Sequence, residues 1–295
     1  MKTHVWMLLL GLLSGLGWSG SFGVAPRANR AVAQVVPDQT LPVGERSQVS
    51  GDPNVQIDGG ATRGNNLFHS FQQFSIPTGG SASFNNAANI VNIFTRVTGS
   101  NVSDIDGLLW ANGTANLFLI NPNGILFGAN ARLELGGSFL ASTANSLRFA
   151  DGFEFSATAA PTPPLLTISA PIGLQYGSRV GEVRVQGATL QVPNGQTLAL
   201  AGGNVSVEGG QLLTLGGRVV LGGISEAGTV GQNLDGSLSF PNSIARADIV
   251  LTNSTLVDVT AGGGGEIEIA ARNLNLNAGS NLRAGIGAGL GSPQA

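Results

Sequence analysis

Few side chains in this sequence could perform acid-base chemistry. The chain has two histidines, His4 and His69, and no cysteine. A serine, histidine and aspartate triad would have to use His69, and the G-x-S-x-G elbow of many hydrolases does not accompany it. Metal sites built on cysteine and histidine would have one usable imidazole. We therefore predict that the chain is not an enzyme and binds no cofactor and no metal.

Asp104 and Asp106 are the best candidates for carboxylate chemistry. Their i, i+2 spacing places both on one face of a strand, and β-helical polysaccharide lyases and pectinases use clustered carboxylates. However, Ile105 between them and Gly107 after them also fit an ordinary polar turn, and the third ligand of a calcium loop is missing. A β-helical polysaccharide-active enzyme is kept as an alternative.

Charge and glycine patterns exclude two further classes of ligand. The net charge is −3, and the 14 basic residues are scattered along the chain. The sequence therefore lacks the cluster of basic residues that is typical of a nucleic-acid-binding surface. The glycine-rich segment 285–291 has no G-x-G-x-x-G register and precedes no helix pattern, so a nucleotide loop is excluded too.

Short apolar pairs separated by turn residues recur in the second half of the sequence. The members of most pairs lie at alternate positions, as in a short strand with one buried face, and successive pairs begin at nearly constant intervals. Turns such as Pro193-Asn194-Gly195 lie between them. Three such steps make a coil of about 22 residues, a period typical of solenoids. The pairs are Val183/Val185, Leu190/Val192, Leu198/Leu200, Val205/Val207, Leu212 with Leu213, and Val219/Leu221.

The pattern resumes at Ile249 with a shorter spacing. The interval from Ile249 to Ile267 equals that from Leu256 to Leu274, and both are shorter than the preceding coil. We expect shorter coils here, with the glycine run 262–265 bulging outward. Leucine-rich repeats, the competing solenoid, need a helical segment in each repeat, and the sequence has none.

The first half contains similar strands and an aromatic segment. Residues 84–98, 108–110, 117–120 and 125–127 read as short strands. The denser segment 64–74 suits a cap, because an open solenoid end exposes apolar core and unpaired strand edges. Its predicted cap residues are Asn66, Leu67, Phe68, His69, Phe71 and Phe74. We predict an all-β fold, a right-handed parallel β-helix (solenoid) with an N-terminal cap.

Asn121-Pro122-Asn123-Gly124 has the composition of a type I turn. Proline at the second position presets φ, the preceding asparagine can hydrogen-bond the backbone, and the final glycine leaves the turn without Cβ strain. The apolar segments 117–120 and 125–127 flank it. We predict a sharp corner between two strands.

A series of segments around this turn forms a specific pattern. The strongest, residues 115–125, reads Ala-Asn-Leu-Phe-Leu-Ile-Asn-Pro-Asn-Gly-Ile, and the others are residues 64–74, 92–99, 106–108, 127–131 and 136–139. In this order they resemble the N-terminal secretion domain of two-partner secretion exoproteins of the filamentous haemagglutinin type. The resemblance is close over about residues 35–150, while residues 265–285 are similar to repeats of cyanobacterial-type members. The family's Asn-Pro-Asn-Leu turn is absent, so no role is assigned to the nearest segment, residues 84–87.

The resemblance implies export. Such a domain is recognised by a dedicated outer-membrane β-barrel transporter through its periplasmic domains, and the chain then folds at the cell surface. It implies a secreted or surface-exposed, adhesin-like exoprotein. An autotransporter-type passenger is a third alternative, which a barrel-encoding segment in the full-length chain would favour. The residues expected to shape the secretion domain are Asn121, Pro122, Asn123, Gly124 and Ile125.

Residues 1–33 have the features of a signal peptide. Lys2 is followed by the apolar run 5–16 and by a small-residue exit at Ala31-Val32-Ala33. The run is shorter than the roughly 20 residues that a membrane helix needs. We predict a signal peptide at 1–33, a secretion domain at 34–160, and continuing coils at 161–295, where the repeat stops in mid-pattern after Leu282 as in a truncated chain.

Overall fold

The computed structural model describes residues 34–159, 166–233 and 235–289. The predicted signal peptide and the predicted boundary between residues 160 and 161 lie outside these residues. The described segments form strands joined by turns, without a helix. Accordingly, they include no helix that could cross a membrane.

The strands are short and follow one another closely along the chain. The first group comprises β1 (Gln34–Pro37), β2 (Ser47–Ser50), β3 (Asn54–Gly59), β4 (Ala61–Arg63), β5 (Asn66–Ser75), β6 (Ser81–Phe84), β7 (Asn92–Val97), β8 (Ser103–Ile105) and β9 (Leu108–Ala111). The second comprises β10 (Asn116–Ile120), β11 (Ile125–Phe127), β12 (Arg132–Glu134), β13 (Phe139–Ser142), β14 (Ser146–Phe149), β15 (Glu154–Ser156), β16 (Pro171–Tyr176), β17 (Val183–Gln186) and β18 (Thr189–Gln191). The third comprises β19 (Thr197–Gly202), β20 (Val205–Glu208), β21 (Gln211–Leu213), β22 (Arg218–Gly223), β23 (Gly228–Gln232), β24 (Leu238–Ser239), β25 (Ile249–Thr252), β26 (Leu256–Asp258), β27 (Glu266–Ala270), β28 (Leu274–Leu276) and β29 (Asn281–Arg283).

Most strands belong to three parallel faces that surround one core. The first face is β5-β7-β10-β13-β19-β22-β27, and the second is β8-β11-β17-β20-β25-β28. The third begins as β3-β6-β9-β12, and β18 lies beside β12 and continues it as β18-β21-β26-β29. Because consecutive strands belong to different faces, the chain winds as a solenoid. The predicted parallel β-helix is confirmed.

The coil length agrees with the repeat in the central coils and differs near the C-terminal end. Val183 pairs directly with Val205, the next equivalent position that the repeat predicts. The expected shortening after Ile249 is wrong, because this residue pairs with Leu274, which lies further along the chain than Ile267. Ile267 lies on the first face whereas Ile249 lies on the second, so the two are not equivalent positions.

Alternation along each short strand fills the inner core. Val183 and Val185 are fully buried while Arg184 between them is exposed, and β8, β11, β20 and β25 of the second face likewise bury alternate residues. Apolar residues from all three faces meet in one continuous cluster, which includes Phe127, Phe139, Leu190, Leu198, Val205 and Val257. Burial of this shared core is therefore what holds the coils together.

The short strands predicted in the first half are mostly confirmed. Residues 108–110, 117–120 and 125–127 all lie in strands. Residues 84–98 do not form one strand, because a corner that includes Asn85 and Asn86 separates β6 from β7. Asparagine favours turns over continued strands, which explains the break.

An antiparallel sheet that the sequence analysis did not predict packs on the outside of the first face. Its strand order is β15-β14-β16-β23-β24, and we call it the outer sheet. It is built from two excursions that leave the stack after β13 and after β22. A second apolar cluster lies between it and the first face, and includes Phe68, Phe94, Phe118, Leu147, Phe149, Phe155 and Tyr176. The first face is thus covered on both sides from β5 to β22, whereas β27 stays partly exposed.

Antiparallel strands close the N-terminal end of the stack. β1 and β4 pair with the two halves of β5, and β2 pairs with β3. These strands occupy edges that would otherwise be open to pairing with other chains. The predicted N-terminal cap is confirmed.

We predict that the inner core dominates stability. Phe127 is fully buried and its ring packs edge-on against Phe139 at 6.1 Å. Phe127→Ala should lower the free energy of unfolding by about 3–5 kcal/mol, measured by urea unfolding followed by circular dichroism. Leu274→Ala, at a side chain that is 42% exposed, is the control and should change little. Equal losses for both variants would contradict this description of the core.

Candidate functional site

The predicted Asn121-Pro122-Asn123-Gly124 turn forms the corner between β10 and β11. The N–H of Gly124 donates to the carbonyl oxygen of Asn121 at 3.1 Å, which closes the four-residue turn. The N–H of Asn123 donates to Oδ1 of Asn121 at 3.0 Å, as in an Asx turn. Gly124 has a φ of 125°, which a residue with a side chain rarely adopts. The composition thus fits the local geometry.

Asn121 connects the turn to the coils before and after it. Its Nδ2 donates to the carbonyl oxygen of Asn101 and to Oγ of Ser103, both at 2.9 Å, in the preceding coil. Its backbone N–H donates to the carbonyl oxygen of Ser142 in the next coil at 2.9 Å. The residue is fully buried. Because Oδ1 also accepts two bonds from Asn123, both donors and both acceptor positions of the amide are satisfied.

Ile125 begins the next strand and carries the stacking onward. Its side chain is buried in the inner core, and its N–H donates to the carbonyl oxygen of Glu182 at 3.0 Å. Ser103 pairs with Ile125 on the other side. The five predicted turn residues therefore bring three successive coils into register.

A shallow cleft of about 270 Å³ lies beside the turn. Its walls come from the turn, from the corner after β7 and from the residues after β15, and no charged side chain lines it. The lining residues are Val97, Thr98, Gly99, Ser100, Pro122, Asn123, Ala157 and Thr158. Pro122 and Asn123 thus present the accessible side of a turn whose other side is buried.

The predicted cap residues all lie in β5, the strand that begins the first face. Asn66 donates from Nδ2 to the carbonyl oxygens of Thr167 and Ser169, and its Oδ1 accepts a bond from Asn92 at 3.0 Å. Asn116 extends this amide ladder to the next coil. Of the other predicted residues, Leu67, Phe71 and Phe74 enter the inner core, while Phe68 packs beneath the outer sheet. The alternation is interrupted between Phe71 and Gln73, where the register with β1 shifts.

His69 lies enclosed under the cap. Its Nδ1 is hydrogen-bonded to Oγ of Ser47 at 3.0 Å, and its ring lies 5.3 Å from that of Phe84 and 6.0 Å from that of Phe71. Burial lowers the pKa of His69 to about 3, although the charge of Asp58 opposes this. The side chain is therefore neutral at pH 7 and enclosed by other residues.

Asp104 and Asp106 are not gathered into a larger carboxylate cluster. Burial raises the pKa of Asp106, but hydrogen bonds from Thr78 and Asn130 outweigh it and hold that pKa below its usual value. Burial and the charge of Asp106 together raise the pKa of Asp104. Within the described residues, no group of three or more histidines, aspartates or glutamates could hold a metal ion. The Asp106 carboxylate thus joins neighbouring coils.

Sequence reasoning missed Arg96, the largest fully buried side chain among the described residues. This arginine is fully buried, and its guanidinium lies 4.2 Å from the centre of the Phe155 ring. It also bonds to Thr40 of the cap and Ser70 of β5. The available signal was its position in the strand Asn-Ile-Phe-Thr-Arg-Val, where a charge interrupts an otherwise buried segment.

The chain is similar to known secretion domains. A family model described as the TPS secretion domain matches residues 33–269. The solved structure of the filamentous hemagglutinin secretion domain has 15% identity and a TM-score of 0.51, with 84% of this chain and 98% of that chain covered. The HMW1 secretion domain from Haemophilus influenzae has 20% identity and a TM-score of 0.51, with 86% of this chain and 64% of that chain covered. At these identities the two structures show a shared fold. No curated protein sequence matches the chain.

We predict that Asn121 stabilises the stack through its buried amide. Asn121→Ala removes the bonds to Asn101 and Ser103 and should lower the free energy of unfolding by about 1–3 kcal/mol in urea titrations. Asn123→Ala is the control, because water can replace the bonds of an exposed side chain, and it should lose less. A smaller loss for Asn121→Ala than for the control would contradict the prediction.

We also predict that stability falls in mild acid because of His69. The pKa is about 3 in the folded protein and 6.5 without burial, so the unfolded chain binds more protons between these values. The contribution of neutral, buried His69 to the free energy of unfolding is complete above pH 6.5. It is lost as the pH falls toward 3, by about 1.4 kcal/mol per pH unit. Urea midpoints at pH 7 and pH 5 measure this. His69→Gln should abolish the difference between the two pH values, and an unchanged difference would exclude His69 as its source.

Proposed function

The chain belongs to the family of TPS secretion domains, and we propose from this that it is a two-partner secretion exoprotein whose β-helix is recognised for export by a partner outer-membrane transporter. Proteins with this domain are exported and secreted. The family match over residues 33–269 is the observation that carries the proposal. The β-helix and the multi-coil turn at Asn121 agree with it.

The proposed partner is an outer-membrane β-barrel with periplasmic recognition domains. We place the mature chain outside the cell, secreted or at the cell surface, with an adhesin-like role. The cleft beside Pro122 offers such a partner an uncharged surface formed by three separate segments of the chain. A partner that recognised this surface would bind only correctly stacked coils, because the three segments meet only when the coils are stacked.

The proposed role requires no catalysis by this chain. His69 is buried among aromatic rings, and the carboxylate of Asp106 is occupied by Thr78 and Asn130. Neither group is arranged to transfer a proton to a polysaccharide. A polysaccharide-active enzyme therefore gains no support from the geometry of these residues.

We predict that the turn is needed for export. Asn121→Ala combined with Pro122→Ala should sharply reduce the amount of protein in the medium when the partner transporter is co-expressed, while cellular expression stays unchanged. The reason is that Asn121 makes the buried hydrogen bonds of the corner, while Pro122 forms part of its exposed surface. Immunoblots of medium and cell fractions, compared with the parent chain, measure the effect.

A matched control comes from a second Pro-Asn-Gly sequence in a later coil, residues 193–195. There the N–H of Gln196 donates to the carbonyl oxygen of Pro193 at 3.1 Å, so the turn begins at the proline itself and is shifted by one residue relative to the turn at Asn121. The control therefore matches the sequence of the corner and differs in its geometry. Pro193→Ala combined with Asn194→Ala should leave export intact. Phe127→Ala, which weakens the core and leaves the turn residues unchanged, separates stability from recognition. Normal secretion of the Asn121 and Pro122 variant would refute the proposal.

A further inference from the structure

Arg96 lies where the cap, the stack and the outer sheet meet. Its Nε donates to Oγ of Ser70 at 2.8 Å, and its Nη2 donates to Oγ1 of Thr40 at 2.6 Å. Its Nη1 donates to the carbonyl oxygen of Ser156 at 2.6 Å. One guanidinium thus holds three separate segments: β5, the cap turn after β1, and β15 of the outer sheet.

Asp38 completes the network from the cap side. Its carboxylate accepts bonds from the hydroxyl groups of Ser70, Thr98 and Thr40 at 2.6, 2.6 and 2.7 Å. The N–H of Thr40 adds a fourth bond at 2.9 Å. Ser70 and Thr40 therefore link Asp38 to Arg96, because each is hydrogen-bonded to both charged groups.

The network keeps both Arg96 and Asp38 in their charged forms at pH 7. Burial lowers the pKa of Arg96 to about 10, and the charge of Asp38 opposes this, so the guanidinium stays protonated at pH 7. Burial raises the pKa of Asp38, but its hydrogen bonds outweigh that and hold the pKa below its usual value. A buried cation without these partners would be strongly unfavourable.

The partners of Arg96 are distant in sequence. Thr40 precedes it by 56 residues and Ser156 follows it by 60. Until β15 docks, the guanidinium lacks the Ser156 oxygen and the Phe155 ring that cover it, and it remains better solvated by water. The cap turn then lacks the donor that holds Thr40.

We propose that Arg96 is a positioning residue that latches the N-terminal cap, and that this latch closes only after β15 of the outer sheet has docked. The cap comes first in the sequence, yet it becomes fixed after a segment that lies much further along the chain. The outer sheet thereby controls when the end of the stack is closed. This inference goes beyond export and does not depend on the proposed transporter.

Single engineered thiols can test the latch, because the chain has no cysteine of its own. Leu41→Cys places a reporter at a cap position that is 1% exposed, and Val257→Cys places one in a fully buried position of a distant coil. Arg96→Met should accelerate labelling at position 41 by about tenfold or more in native buffer, and should leave position 257 protected. Arg96→Lys, which keeps the charge but cannot make the three-way contact, should give an intermediate rate.

Further variants keep the test decisive. Arg148→Met removes an exposed arginine from β14 of the same outer sheet and should change neither rate. Ser70→Ala removes the acceptor of Nε and provides a milder opening if Arg96→Met fails to fold. Phe155→Leu should also accelerate labelling at position 41, and its effect should be smaller when Arg96→Met is already present. Unchanged labelling at position 41 in Arg96→Met and Ser70→Ala, or equal acceleration at position 257, would overturn the latch.

The order of closure has its own measurement. During refolding, pulsed labelling compares the reporter at position 41 with Leu147→Cys, a fully buried position of β14. Protection at position 147 should precede or coincide with protection at position 41. Protection of position 41 first would contradict the proposed order, even if the static labelling supported the contacts.

Discussion

The structure depends on one constraint, which is that no coil can satisfy its own backbone. The short strands obtain their hydrogen bonds and their buried surface from the coils on either side. Between the strands, at the corners, the regular ladder is interrupted and backbone groups need other partners. Side-chain amides supply them. The amide of Asn121 does so for Asn101 in the preceding coil and for Asn123 in its own turn. The ladder formed by Asn66, Asn92 and Asn116 reaches backbone groups of Thr167, Ser169 and Ser138 at its two ends.

The part of the fold that follows from local periodicity was predictable. Inward residues recur at every second position and turns separate them, so Val183, Val205 and their neighbours predicted the coil length that the strand register confirms. The spacing from Ile249 to Ile267 gave a wrong coil length, because two apolar residues of the same type can belong to different faces. The coil that starts at Ile249 is longer than the central coils because both the corner between β25 and β26 and the loop between β26 and β27 are longer than their equivalents. Loop length is poorly constrained by stacking.

The outer sheet could not be inferred from period alone, although a sign of it is present in the sequence. In strands of the first face, apolar residues stand at consecutive positions, as at Leu67 with Phe68 and Ile93 with Phe94. Such strands are buried on both sides, so a second layer must cover them. The covering strands come from excursions with irregular spacing. The turn at Asn121 could likewise be predicted from the local sequence. Its hydrogen-bond partners Asn101 and Ser142 could be identified only once the strand register was known.

The two ends of the stack differ in how they meet the same constraint. At the N-terminal end, antiparallel strands cover the edge, and a buried network of Asp38 and Arg96 ties them to the outer sheet. Among the described residues, β27, β28 and β29 pair on one side only, and the side chains of Leu274 and Leu276 are about 40% exposed. Antiparallel strands do not extend a parallel ladder, whereas an open parallel edge accepts another coil of the same kind. The described C-terminal edge is therefore open on all three faces. At the opposite end, opening the cap would expose apolar core and deprive the buried guanidinium of Arg96 of its contact with Thr40.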